Sequence, residues 1–128
     1  MTDSKASKLL DSSVWLEYFH NKKYKEVIDS NEMLLVSPLS LFEVKRKMLK
    51  DNQPAEKIKE SLGLIKKRSI TIVIDEKIAD SAAEISHGKS IPAVDSIIYA
   101  TALSQKAILI TMDNDFRDLE GVTILENS

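Results

Sequence analysis

Residues 93–116 read Ala93-Val94-Asp95-Ser96-Ile97-Ile98-Tyr99-Ala100-Thr101-Ala102-Leu103-Ser104-Gln105-Lys106-Ala107-Ile108-Leu109-Ile110-Thr111-Met112-Asp113-Asn114-Asp115-Phe116. Wound as a helix, Ile97, Ile98, Tyr99, Ala100, Ala102 and Leu103 cover almost the whole circumference. A helix apolar all round is a buried one. It is expected over residues 92–106, and the apolar run 107–111 that follows reads as a strand. A buried helix feeding a short apolar strand, with acids directly behind it, points to a parallel sheet covered on both faces.

The same alternation extends outward. Residues 8–11, 33–36, 71–74 and 122–125 read as further short strands. Helices are expected over 12–20, 24–29, 38–50, 55–67 and 75–87. Ser37-Pro38 is a capping hydroxyl followed by proline at the first helical position. Gly88 is the natural stop of the helix over 75–87. The expected fold is therefore α/β: one domain over residues 8–126, with a mostly parallel sheet of about five strands flanked by helices on both faces. Residues 1–7 are polar and expected to be loose. In such folds ligands bind beyond the carboxyl ends of the strands, where the strand order reverses.

Composition narrows the chemistry. The 128 residues contain no cysteine and two histidines, His20 and His87. Disulfides, thiolate metal sites and thiol catalysis are excluded, and a histidine-rich site has little to draw on. Both histidines read as helix-terminal cations. No apolar run exceeds four residues, which excludes a membrane-spanning helix and sets an intracellular, cytoplasmic location as the default. The net charge of −2 is unevenly spread, +4 over residues 1–68 and −6 over residues 69–128. Residues 45–68 alone hold nine basic side chains against three acidic ones. They read either as solvated helix faces or as a surface for a polyanion.

Three acids fall at expected strand ends or helix starts: Asp11, Asp95 and Asp113, with Asp115 two residues further on. Each has a local use. Asp11 can cap the helix after it, Asp95 can cap a helix whose surroundings are otherwise apolar, and Asp113-Asn114-Asp115 suits a turn. Glu43 lies at the margin of an apolar arc, four residues before Lys47, at ion-pair spacing. The conjunction matters more than any one of them. Carboxylates gathered without histidine or thiol select hard cations, Mg²⁺ or Mn²⁺. One such ion, or two about 3.5–4 Å apart, can activate water against a phosphodiester.

Four stretches carry a family resemblance. Leu9-Leu10-Asp11-Ser12-Ser13-Val14-Trp15, Ser40-Leu41-Phe42-Glu43-Val44, Ala93-Val94-Asp95-Ser96-Ile97-Ile98-Tyr99-Ala100-Thr101-Ala102 and Leu109-Ile110-Thr111-Met112-Asp113-Asn114-Asp115-Phe116 stand in order. Together they resemble the motifs of PIN-domain ribonucleases, most closely the VapC-type toxins of toxin–antitoxin pairs. The resemblance runs from Leu9 to Leu125. It implies a PIN-like fold and an acidic quartet of Asp11, Glu43, Asp95 and Asp113, catalytic and metal-binding, with Asp115 as a less regular fifth ligand. Ser13 and Thr111 become the polar groups that orient a carboxylate or water.

The implied activity is Mg²⁺- or Mn²⁺-dependent endonucleolytic cleavage of RNA by a metal-activated water, leaving 5′-phosphate and 3′-hydroxyl ends. Lys45, Arg46 and Lys47 then become contacts to the RNA backbone. The implied partners are the RNA substrate, a small antitoxin protein and a second copy of the chain in a homodimer. Phe19, Tyr24, Leu39 and Phe42 read as core by helical spacing, or as the lining of an antitoxin groove. Trp15 reads as packing in the first helix rather than as a base-stacking surface.

Within the same family a ribosomal-RNA-maturing nuclease is the alternative, as is a non-catalytic RNA- or protein-binding module. The complete quartet argues against the module. Phosphoacceptor domains fit poorly. Asp11-Ser12-Ser13 lacks the second aspartate of the dehalogenase pattern, and the strand over 107–111 is followed by acids rather than lysine.

Overall fold

The structure, a computed structural model, describes residues 7–126. Its five strands are β1 (Lys8–Leu10), β2 (Leu34–Val36), β3 (Ser69–Thr71), β4 (Ile108–Thr111) and β5 (Val122–Ile124). They form one sheet in the order β3-β2-β1-β4-β5, and every pairing is parallel. The helices are α1 (Ser12–Asn21), α2 (Lys25–Ile28), α3 (Pro38–Lys50), α4 (Ala55–Arg68), α5 (Glu76–Lys89) and α6 (Ala93–Ser104). A single 3-10 turn follows β4 at Asn114–Phe116.

Alternation along β1, β2 and β4 divides the apolar residues between two faces. Leu10, Leu34, Val36 and Ile110 join Val14, Trp15, Ile28, Val44, Met48, Ile58 and Ile65 on one face. Leu9, Leu35 and Leu109 join Ile98, Tyr99, Ala102 and Phe116 on the other. Strands buried on both sides must be apolar at every position, which is why they read as continuous runs.

The chain steps outward from β1 through β2 to β3, then returns to place β4 on the other side of β1. The order reverses between β1 and β4, so their carboxyl ends flank the expected ligand crevice.

Local chemistry explains most of the boundaries. Ser37 caps α3, accepting from the Leu39 N–H at 3.1 Å, and Pro38 is its first residue. Asp75 caps α5 through the Ile78 N–H at 2.9 Å. The Arg68 guanidinium at the end of α4 donates to the carbonyls of Ile28, Ser30 and Glu32, and so pins the loop that enters β2.

Three expectations need correction. The strand expected over 71–74 begins at Ser69 and ends at Thr71. Its partner β2 stops at Val36, where Ser37 and Pro38 turn the chain into α3. Beyond the Ile72 N–H to Val36 carbonyl bond, β2 offers the β-branched residues no further backbone partner. Helix α5 passes through Gly88 and stops at Ser90, which takes the left-handed conformation at φ 55°. Helix α6 buries Ile98, Tyr99, Ala100, Thr101 and Ala102 but leaves Val94 and Leu103 exposed. The loose segment expected over 1–7 lies outside the described residues except for Ser7, whose carbonyl accepts from the Ile108 N–H at 2.9 Å.

No helix among the described residues is long and apolar enough to cross a membrane. Trp15 is fully buried, with Phe19 stacked on it at 6.1 Å between ring centroids and Tyr18 edge-on at 6.4 Å. His20 and His87 occupy the last turns of α1 and α5.

Candidate functional site

Asp11 leaves β1 and caps α1, accepting from the Ser12 N–H at 2.8 Å. Its second oxygen accepts from the Thr111 hydroxyl at 2.8 Å and the Ser13 hydroxyl at 3.3 Å. Those hydroxyls are themselves held, for the Asp113 N–H donates to Thr111 Oγ1 at 3.0 Å and the Met112 N–H to Ser13 Oγ at 3.1 Å. A hydroxyl that accepts from backbone has its proton free to donate, so both point at Asp11. These contacts fasten the end of β1 to the end of β4, across the reversal of strand order.

Asp113 caps the 3-10 turn through the Asp115 N–H at 2.9 Å. Asp95 lies in the first turn of α6, where no side chain caps the helix. The helix-capping use open to Asp95 is therefore not the one adopted, although its charge still suits the helix N-terminus. One carboxylate oxygen from each of Asp95, Asp113 and Asp115 lies within 4.8 Å of the other two.

Glu43 projects from α3 and accepts from the Ser12 hydroxyl at 3.0 Å. The Glu43–Lys47 ion pair that spacing allowed is replaced by Lys47–Asp51 at 3.4 Å, with His20 Nε2 4.0 Å from the same carboxylate.

The acids form one electrostatic group in two parts. Asp95, Asp113 and Asp115 make the tight trio. Asp11 and Glu43 stand beside it, tied to hydroxyls. Burial pushes the Asp11 carboxyl up, and the Asp113 charge adds to this while hydrogen bonds from Thr111, Ser12 and Ser13 oppose it. Burial also raises Glu43, with Asp11 and Asp113 adding to the shift and the Ser12 hydroxyl and Arg46 guanidinium opposing it. Asp95 is pushed up to about 7 by burial and then by the charges of Asp113, Asp11, Asp115 and Glu43. Facing carboxylates of this kind cannot all ionise cheaply without a counter-charge.

The donor set fits a hard divalent cation, since it is all oxygen, anionic and free of histidine and thiol. Lys45, Arg46 and Lys47 are exposed on α3, and Arg46 is near enough to act on the Glu43 carboxyl. Sequence reasoning missed the role of Ser12. Its only signal was a second hydroxyl beside Ser13, with nothing to say that a residue on α3 would meet it.

Of the four residues weighed as core or groove, Phe19, Tyr24 and Leu39 pack on the two cores, whereas Phe42 is 61% exposed. Phe42 points outward because Val44 and Met48, and partly Leu41, supply the inward stripe of α3.

Solved structures with the same fold are numerous. The toxin–antitoxin complex from Klebsiella pneumoniae superposes with a TM-score of 0.80 at 23% identity, over 94% of this chain and 100% of that one. FitAcB from Neisseria gonorrhoeae gives 0.64 at 26% identity, over 84% and 88%. VapC20 of Mycobacterium tuberculosis, a sarcin–ricin-loop-cleaving toxin, gives 0.74 at 11% identity, over 94% and 100%. No curated protein sequence matches. The PIN-domain family model matches residues 8–122, and with the five-stranded parallel sheet and the acids gathered at its reversal point, the chain belongs to the PIN-domain family.

Proposed function

We propose that this chain is a divalent-metal-dependent endoribonuclease and the toxin of a type II toxin–antitoxin pair, acting in the cytoplasm. The observation that carries the reading is the carboxylate trio of Asp95, Asp113 and Asp115 within 4.8 Å, with Asp95 pushed up to about 7. A cluster with this cost to folding has a use when a cation offsets it.

Asp11, Glu43, Asp95, Asp113 and Asp115 are the residues that would hold Mg²⁺ or Mn²⁺, as one ion or two. When bound, such an ion removes their mutual repulsion and supplies Lewis acidity toward water and phosphate oxygen. The protein's own part is orientation. Thr111 and Ser13 fix the Asp11 carboxylate, and Ser12 aims Glu43. Lys45, Arg46 and Lys47 attract the RNA backbone without choosing its sequence. Selection of target falls to contacts with unpaired bases.

Partners follow from the neighbours. The Klebsiella structure is a toxin–antitoxin complex, and a VapBC complex of Rickettsia felis is bound to a promoter DNA fragment. These support a small antitoxin as inhibitor; a homodimer as the working form rests on the family resemblance.

The test is cleavage of RNA by the purified chain in Mn²⁺ and in EDTA, beside Asp95→Asn and Asp113→Asn. Cleavage is expected only for wild type with metal. Cleavage that persists in EDTA, or in both folded variants, overturns the reading.

A further inference from the structure

We infer that Phe42 is a stacking platform for an unpaired base of the substrate RNA, with Lys45, Arg46 and Lys50 holding the phosphates on either side of it. The inference rests on the ribonuclease reading and names a specificity contact beside its acid cluster. Phe42 is 61% exposed, and it is the one aromatic among the exposed large apolar side chains of the described residues. It sits on an open face of α3 together with Lys45, Arg46, Leu49 and Lys50. The face thus pairs two apolar side chains with three cationic ones, with no carboxylate among them. A single-stranded nucleic acid offers the matching pair of surfaces, a π-face on each base and a negative charge on each phosphate.

Position favours RNA over a protein partner. Helix geometry places Arg46 about 40° from Phe42 and about 60° from Glu43 around the axis of α3, one turn along. Arg46 therefore stands between the aromatic ring and the acid cluster, and it acts on the Glu43 carboxyl. A strand whose phosphate lies at the acids would pass Arg46 and set a neighbouring base over Phe42. Trp15, the other candidate platform near the first acid, is fully buried and out of reach of a base.

The test uses a single-stranded oligoribonucleotide carrying 2-aminopurine, mixed with the full chain in EDTA, where stacking is read as quenching and affinity from the titration. Cleavage of the same RNA in Mn²⁺ is followed in parallel. Wild type is expected to quench. Phe42→Ala should lose the quenching and bind on the order of tenfold more weakly, and Phe42→Tyr should restore both. Because the side chain is exposed, the Ala variant should keep the wild-type melting temperature.

Wild-type cleavage without quenching, or Phe42→Ala with undiminished affinity, overturns the stacking and leaves the nuclease reading standing. Undiminished RNA affinity with a reduced dimer mass in light scattering assigns Phe42 to a protein contact and likewise overturns it. No wild-type cleavage in Mn²⁺ overturns the nuclease reading and this inference with it.

Discussion

The acid cluster and the basic face of α3 and α4 are both charged, but they are built in opposite ways. The basic side chains are neighbours in sequence, nine of them within residues 45–68, and nearly all are exposed. The exposed ones hold their charge in water at little cost and could each be removed with little effect on folding, whereas Arg68 holds the loop that enters β2. The acids come from the end of β1, the middle of α3, the start of α6 and the end of β4. They meet only in the folded chain, and burial and mutual repulsion raise the carboxyls of Asp11, Glu43 and Asp95. A feature that folding assembles against an energetic penalty calls for a counter-charge. A feature that costs nothing serves as a general attractant. The contrast supports the proposed division, with chemistry at the acids and diffuse binding at the exposed lysines and arginines.

The largest expected effect is at the trio. Asp95→Asn and Asp113→Asn should each lower Mn²⁺-dependent RNA cleavage by more than about 100-fold, beyond what loss of an outer hydrogen-bonding partner costs. Metal-free Asp95→Asn should also melt a few degrees higher than wild type at pH 8, since it removes a carboxylate that the fold disfavours. A lower midpoint would mean that Asp95 is stabilising where it stands.

Next come the hydroxyls. Thr111→Val and Ser12→Ala should weaken Mn²⁺ binding by about 10–100-fold. Ser12→Thr should retain the wild-type affinity by keeping the donor to Glu43. Calorimetric titration separates these outcomes.

The pH dependence has a definite sign. Asp95 ionises near its ordinary value of 3.8 when unfolded and at about 7 when folded. Its contribution to stability is complete below 3.8 and is lost as pH rises to about 7. Melting midpoints of the metal-free chain should therefore decline over that interval, and the decline should be smaller in Asp95→Asn. Below pH 7 an ion must displace the Asp95 proton, so Mn²⁺ affinity should fall as pH falls. A flat profile for both quantities would remove the electrostatic argument for the trio.

The smallest effect belongs to the basic face. Substituting Lys45 and Arg46 by Ala should reduce the salt dependence of single-stranded RNA binding, by about 0.7 in log–log slope for each phosphate left without its cation. Lys47→Ala should change it less, because Lys47 is engaged with Asp51. Equal reductions at all three positions would erase that distinction.

The fold was legible where the determining chemistry is local. Ser37 and Pro38 start α3 from residues adjacent in sequence, and the two-faced burial of the strands shows as apolar runs. The end of β3 was not legible, because it depends on where β2 stops. The stop of α5 at Ser90 rather than Gly88 was equally hidden, since a serine gives little sign that it will take a left-handed conformation. For the candidate site, Asp11, Asp95 and Asp113 stood out by their places after strands and at a helix start. Glu43 did not, because its partner Ser12 is 31 residues away in sequence. Asp115 reads from sequence as a marginal fifth acid, whereas the Asp113-capped turn brings it within 4.8 Å of Asp95 and Asp113.

Equilibrium binding of Mn²⁺ by electron paramagnetic resonance is the most direct measurement. The wild-type chain should take up one or two ions with loss of the free-ion signal, while folded Asp95→Asn and Asp113→Asn should leave most of that signal in place. Uptake by both variants equal to that of wild type, or none by wild type, would contradict the assignment of these carboxylates to a shared divalent ion.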